Sequence, residues 1–176
     1  MSTLTVITPT FETLARQLAA SEKQVQKALK RAIAVTARWA ANEGRSGIAQ
    51  SLGIRISALK GRVGVFIRTD EAIGKSFFGL NDLPSSRLNP RQTATGATMD
   101  GMKGEVAHGF VARGKYGASG RKFVWLREGK ARFPIKMVGL PINNVGQNVI
   151  ANDVFPRIEE RLLRAFEHEL RWEVSK

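Results

Sequence analysis

Two histidines, His108 and His168, and one adjacent carboxylate pair, Asp70-Glu71, are the residues through which this chain could do acid–base or metal chemistry. A general base needs a neighbour that orients it, and a metal needs several ligands converging at set spacings. His108 stands in Ala107-His108-Gly109-Phe110, and His168 stands beside Glu169 on a charged helical stretch. Neither has a partner at the spacing of a triad or a ligand set. Neighbouring residues on a strand point to opposite faces, so Asp70-Glu71 reads as a strand-end turn. The absence of cysteine removes disulfides, zinc ribbons and thiol nucleophiles. Residues 114–122, GKYGASGRK, carry glycines and lysines without the G-x-x-x-x-G-K-[ST] order that cradles a nucleotide phosphate. The expectation is a protein that is not an enzyme and holds no cofactor and no metal.

Nucleic-acid recognition is the second chemistry to weigh. Ala49, Gly53 and Leu59, four and then six residues apart, have the spacing of a helix-turn-helix. A recognition helix would have to run from about Arg55 beyond Val63, and Gly61 and Gly64 interrupt it. Ile54 and Ile56 also stand where a groove-reading helix presents polar side chains. The stretch therefore reads as a corner leading from a helix into a strand, with Ile48, Leu52, Ile54 and Leu59 as core contacts. A DNA-binding regulator using residues 45–62 is the alternative function.

Charge points the same way without choosing a sequence. The chain has 28 Lys/Arg and 15 Asp/Glu, a net charge of +13. Residues 1–150 hold 23 and 9 of them, and residues 151–176 hold 5 and 6. Such an excess favours nucleic acid or an acidic protein surface, and phosphate contacts read no bases. No run of 18 apolar residues and no signal-peptide-like start is present, so a soluble chain made in the cytoplasm, with no membrane partner, is expected. Its 176 residues, 43% of them hydrophobic, suit one domain, 1–176, with a real core.

These residues need elements to position them. Phe11, Leu14 and Leu18 recur at helical spacing and predict a helix over 11–20. Ser21 and Gln24 form a capping box ahead of a long helix from Glu22 to about Asn42, with Gly44 placed to end it. One apolar face carries Val25, Ala28, Leu29, Ala32, Ile33, Thr36 and Trp39, while Arg31 and the neighbouring lysines fall largely elsewhere. From Arg62 the period becomes two, and Val63, Val65 and Ile67 predict a strand with one buried face. Further strands are expected over 75–79, 104–112, 121–127 and 132–138, the last two as a hairpin with Pro134 at an edge or bulge. Residues 81–103 show neither period and read as a long irregular loop that orders on contact with a partner. Ile158, Leu162, Leu163, Phe166 and Leu170 make the stripe of an amphipathic helix over 153–173, capped by Asp153. The fold class is α+β: a largely antiparallel sheet over 62–138, packed by a helical region over 11–43 and by the C-terminal helix.

The order of these parts resembles a known family. Ala32-Ile33 with Thr36-Ala37-Arg38, then Leu52-Gly53-Ile54-Arg55, then Arg132-Phe133-Pro134-Ile135 with Pro141, then a closing helix ending Leu170-Arg171, is similar to the minor tail protein Z family of tailed bacteriophages, the tail completion proteins. The similarity spans nearly the whole chain, and residues 70–120 depart most from it. It implies a non-enzymatic virion protein at the head-proximal end of the tail, which completes the tail and supports head–tail joining. The implied partners are other copies in a ring of six, the tail tube, the head connector and, without sequence preference, genomic DNA. Within that picture Arg87, Arg91, Lys115, Arg121, Lys122 and Arg132 are the candidate assembly or DNA-facing contacts. Phe133, Ile135 and Met137 form the candidate inter-subunit edge.

Overall fold

Ser21 and Gln24 begin the longest element. In the computed structural model, which describes residues 9–114 and 120–176, the Ser21 N–H donates to Gln24 Oε1 at 2.9 Å and the Gln24 N–H to Ser21 Oγ at 3.4 Å. This is the expected capping box, and it serves amides that a helix start leaves bare. Helix α1 spans Pro9–Gln17 and α2 spans Glu22–Leu52. The sequence places the end of α2 at Gly44, but the helix runs on to Leu52. Gly44 is instead a point of close approach, since a Cβ there would lie 2.5 Å from Phe78 Cε1. The true stop is Gly53, at φ +63°. Its N–H donates to Gln50 O at 3.1 Å and the Ile54 N–H to Ala49 O at 2.9 Å, the paired bonds of a Schellman end. After it comes a single 3-10 turn, Ile56–Leu59, so no second helix follows the helix-turn-helix spacing.

The strands are β1 (Val63–Arg68), β2 (Ile73–Phe78), β3 (Leu83–Pro84), β4 (Arg91–Gln92), β5 (Gly96–Thr98), β6 (Val106–Ala107), β7 (Phe110–Arg113), β8 (Lys122–Arg127), β9 (Ile135–Met137) and β10 (Gly139–Leu140). They form four small antiparallel sheets in the orders β1-β2, β10-β3, β4-β5-β6 and β7-β8-β9, where the sequence suggests one sheet. Helix α3 (Asn143–Val149) leads through a π turn (Ile150–Val154) and a 3-10 turn (Phe155–Arg157) into α4 (Ile158–Val174). Asp153, expected as the cap of the last helix, lies inside the π turn, and no side chain caps α4. The reason is that Arg157 is already helical, at φ −96° and ψ −4°, so the backbone enters α4 from a preceding turn. The protein is α+β, as its patterning predicts.

Read in sequence as one domain, the chain divides into two compact units, each built from separated segments. The first holds residues 1–44, 63–78 and 150–176. Its core is Ala28, Ala32, Phe166 and Leu170, packed round by Phe11, Leu14, Leu18, Leu29 and Leu162. Phe11 meets the Phe166 ring edge-on, with centroids 4.8 Å apart. The β1–β2 ribbon turns one face to α2, where Ser76 Oγ donates to Ala37 O at 2.8 Å. The expected buried face of β1 is only partly realised: Val63 and Ile67 are half-buried but Val65 between them is 39% exposed, and on the ribbon's other face Phe66 and Phe77 are 52% and 67% exposed. Two strands against one helix leave that face uncovered.

Arg31, expected on the solvated side of α2, bonds to the buried Glu173 of α4 and lies 3.8 Å from Glu169. Burial alone would raise the Glu173 carboxyl, but the Arg31 hydrogen bond and the charges of Arg31, Lys176 and Lys27 outweigh it and hold the group below its ordinary 4.5. A depressed carboxyl pKa adds stability that is complete above the unfolded value and is lost as pH falls through the folded one. Glu173→Gln should therefore lower Tm by several degrees at neutral pH and shrink the further fall as pH drops below the ordinary carboxylate value of 4.5. Parallel Tm-against-pH curves for the two proteins would show that the carboxylate is not paired.

The second unit holds residues 45–62 and 79–149. Leu83, Leu88, Ala97, Met99, Val124 and Ile142 are among its buried side chains, with Ile48, Ile54 and Leu59 from the corner. The stretch 81–103, expected as a loop that orders on contact, is thus corrected: it supplies four of those buried groups and three of the strands. Ser85, fully buried, accepts the Val124 N–H on its Oγ at 2.9 Å. Strands of two or three residues carry no period, and this is why the stretch looks irregular in sequence.

Candidate cationic groove and sheet edge

The basic charge is segregated. The second unit carries 15 Lys/Arg and 4 Asp/Glu, net +11, whereas the first carries 13 and 11, net +2. Within the second unit, β7 and β8 pair with Arg113 directly opposite Lys122. Like charges directly opposed on a sheet repel. Arg91, on β4, joins them around an open depression of about 420 Å³ that Pro90, Gln92 and Val111 also line. The Asn89 side-chain oxygen, with its amide turned to suit, accepts from Arg91 Nη2 at 2.8 Å and orients the guanidinium. Among the described residues no carboxylate forms an ion pair with Arg91, Arg113 or Lys122.

The six basic candidates meet different fates. Arg91 and Lys122 line the groove, and Arg121 is exposed one residue from it. Arg87 is turned inward, donating to Ala58 O at 3.1 Å and Lys60 O at 2.5 Å, so it holds the 3-10 turn in place. Arg132 is exposed in the β8–β9 connection, over the Phe133 ring at 5.8 Å. Lys115 lies outside the described residues. Arg113 is missing from the sequence-based set, although a hairpin drawn across residues 114–121 would have set it against Lys122.

The same sheet has a second, chemically distinct side. Alternation puts Arg113, Lys122 and Val124 on one face, and Phe110, Phe123, Trp125, Ile135 and Met137 on the other. The expected hairpin of β8 with β9 is present, in the register Trp125↔Met137 and Arg127↔Ile135. Pro134 stands just before β9, an edge strand, where its missing N–H costs no ladder bond. The sheet's two edges differ. On β7 the Val111 N–H donates to Gln92 Oε1 at 2.8 Å, and Gln92 Nε2 donates to Gly109 O at 3.4 Å, so a side chain covers that edge. Among the described residues no strand pairs with the outer edge of β9, and beside it Phe133 is 64% and Met137 43% exposed.

The residues singled out for acid–base chemistry are not gathered. Glu71, in the turn between β1 and β2, pairs with Arg68 at 2.5 Å. His108 is exposed in the turn between β6 and β7, and His168 is exposed on α4. Glu105 accepts from the hydroxyls of Thr93 and Thr95, which lower its pKa and fasten the β4–β5 turn. Among the described residues no three His, Asp or Glu side chains are grouped to hold a metal, and no helix is long and apolar enough to cross a membrane. No family model, no curated protein and no solved structure matches this chain.

Proposed function

We propose that this chain is a structural component of a phage virion at the head-proximal end of the tail, where copies of it form a ring that completes the tail and supports head–tail joining. The observation that carries the assembly is β9: an unpaired edge with an apolar flank, on a sheet whose other edge is covered by Gln92. An exposed edge of this kind invites pairing with another chain, and monomeric proteins usually blunt it. A head-to-tail contact from that edge to a different surface of the next copy closes into a ring when the rotation divides a full turn. The placement on a tail rests on the resemblance in the residues 32–38, 52–55, 132–135 and 170–171.

Both halves are testable. The double variant Phe133→Asp, Met137→Asp is expected to stay folded, with the wild-type far-ultraviolet circular dichroism spectrum, while ring-sized species disappear in sedimentation velocity and the stabilisation that assembly adds to Tm is lost with them. In particles, label on this chain should appear at the head-proximal end, and deletion should leave unjoined heads and tails. Its absence from purified virions, with joining intact on deletion, would overturn the assignment.

A further inference from the structure

We infer that the Arg91–Arg113–Lys122 groove is a docking site for the phosphodiester backbone of duplex DNA, read without regard to base sequence. The inference stands apart from the ring, since the groove and the apolar flank of β9 lie on opposite faces of one sheet.

Three observations carry it. First, among the described residues no carboxylate pairs with the groove's cations, although the protein pairs its cations elsewhere: Arg55 with Asp100, Arg157 with Glu43, Arg164 with Glu160, Arg171 with Glu167. A fold that sets Arg113 opposite Lys122 accepts a repulsion that an anion would relieve. Second, these cations stand in the unit that carries +11 of the net charge, so the local field draws polyanions toward it.

Third, the lining tells phosphate from protein. Protein-binding hot spots are built on aromatic anchors and are depleted in lysine. Among the described residues this groove has two arginines, a lysine and a glutamine with only Val111, Ala112 and Pro90 between them, and no aromatic ring. The aromatics Phe110, Phe123 and Trp125 are on the far face. Arginine forks suit phosphate oxygens, and Asn89 holds one of them ready. Among the described residues no helix lines the groove, so no recognition helix is presented to the duplex, and arginine and lysine contacts to its backbone read no bases.

Three phosphate contacts give a definite salt dependence. Their share of the affinity should fall about 40-fold between 50 and 200 mM salt. The test is anisotropy of a labelled random-sequence duplex, titrated with the full chain and two triple variants. The groove triple Arg91→Gln, Arg113→Gln, Lys122→Gln is expected to weaken binding about 10-fold or more and to reduce the log–log salt slope by about 3. Its Tm should match or exceed wild type, because a like-charge opposition is gone. The control triple Lys23→Gln, Lys75→Gln, Arg161→Gln removes the same charge from exposed positions of the first unit and should cost less than about 2-fold. Equal losses in the two triples would reduce the effect to net charge and overturn the site. Displacement of the duplex by poly-glutamate at equal charge would assign the groove to an acidic polypeptide instead. A marked preference among duplex sequences, or no wild-type binding at 50 mM salt, would also overturn it. None of these outcomes bears on the sedimentation of the ring.

Discussion

Phe166→Ala is expected to lower the unfolding free energy by about 3–5 kcal/mol, the largest loss from any single truncation in the first unit. Phe166 is fully buried, and its neighbours across the interface are Ala28 and Ala32 on α2, with Phe11 edge-on at 4.8 Å. Alanines at a helix contact have no rotamer with which to fill a void. The helices would have to move together to close it, and α4 is held in place by the Arg31–Glu173 pair. Most of the cavity should therefore persist, and persistence is what makes a truncation costly. Phe166→Leu keeps much of the volume and should cost under about 1.5 kcal/mol. Phe77→Ala, at a ring that is 67% exposed, should cost far less than either. Urea denaturation followed by circular dichroism ranks the three. A Phe166→Ala midpoint no lower than that of Phe77→Ala would mean that α1, α2 and α4 do not share this core.

What could be read from the sequence was local. Ser21 and Gln24 are three residues apart, and the stripe from Ile158 to Leu170 repeats within one helix, so each declares its element without reference to the rest of the chain. Gly44 misled because a glycine that stops a helix and a glycine that admits a ring look the same in sequence. The difference is Phe78, more than thirty residues on, whose ring occupies the space of the missing side chain. Arg31 misled for the same reason, since its partner Glu173 is 142 positions away. The stretch 81–103 hid its structure because strands of two or three residues have no alternation, and its buried Leu83, Leu88, Ala97 and Met99 are spaced by turns. The groove was half legible. Arg91 and Lys122 were marked by charge, whereas Arg113 needed the β7–β8 register to be seen as their neighbour.

Gly96→Ala is the corresponding test of the second unit, with an expected loss on the order of 3 kcal/mol. A Cβ at position 96 would stand 2.1 Å from the backbone oxygen of Val106 and 3.2 Å from the Ala107 Cα. A clash with a side-chain tip can be relieved by a rotamer change, but this one is with the main chain of the paired strand. Gly96 pairs with Ala107, so β5 and β6 can separate only by giving up their ladder. The displacement would not stop there. Gly96 O also accepts Gln92 Nε2 at 2.7 Å, and Gln92 is the residue that covers the edge of β7 through the Val111 N–H. Shifting Gly96 should therefore loosen Gln92, speed amide exchange at Val111, and widen the groove between Arg91 and Arg113. Gly129→Ala is the matched control: no atom lies within 4 Å of its added methyl, and its effect should stay within about 0.5 kcal/mol. Gly96→Ala with the midpoint of Gly129→Ala would mean that Gly96 and Ala107 are not paired. A lower midpoint with unchanged exchange at Val111 would keep that pairing but detach Gln92 from it, and with Gln92 the alignment of the groove.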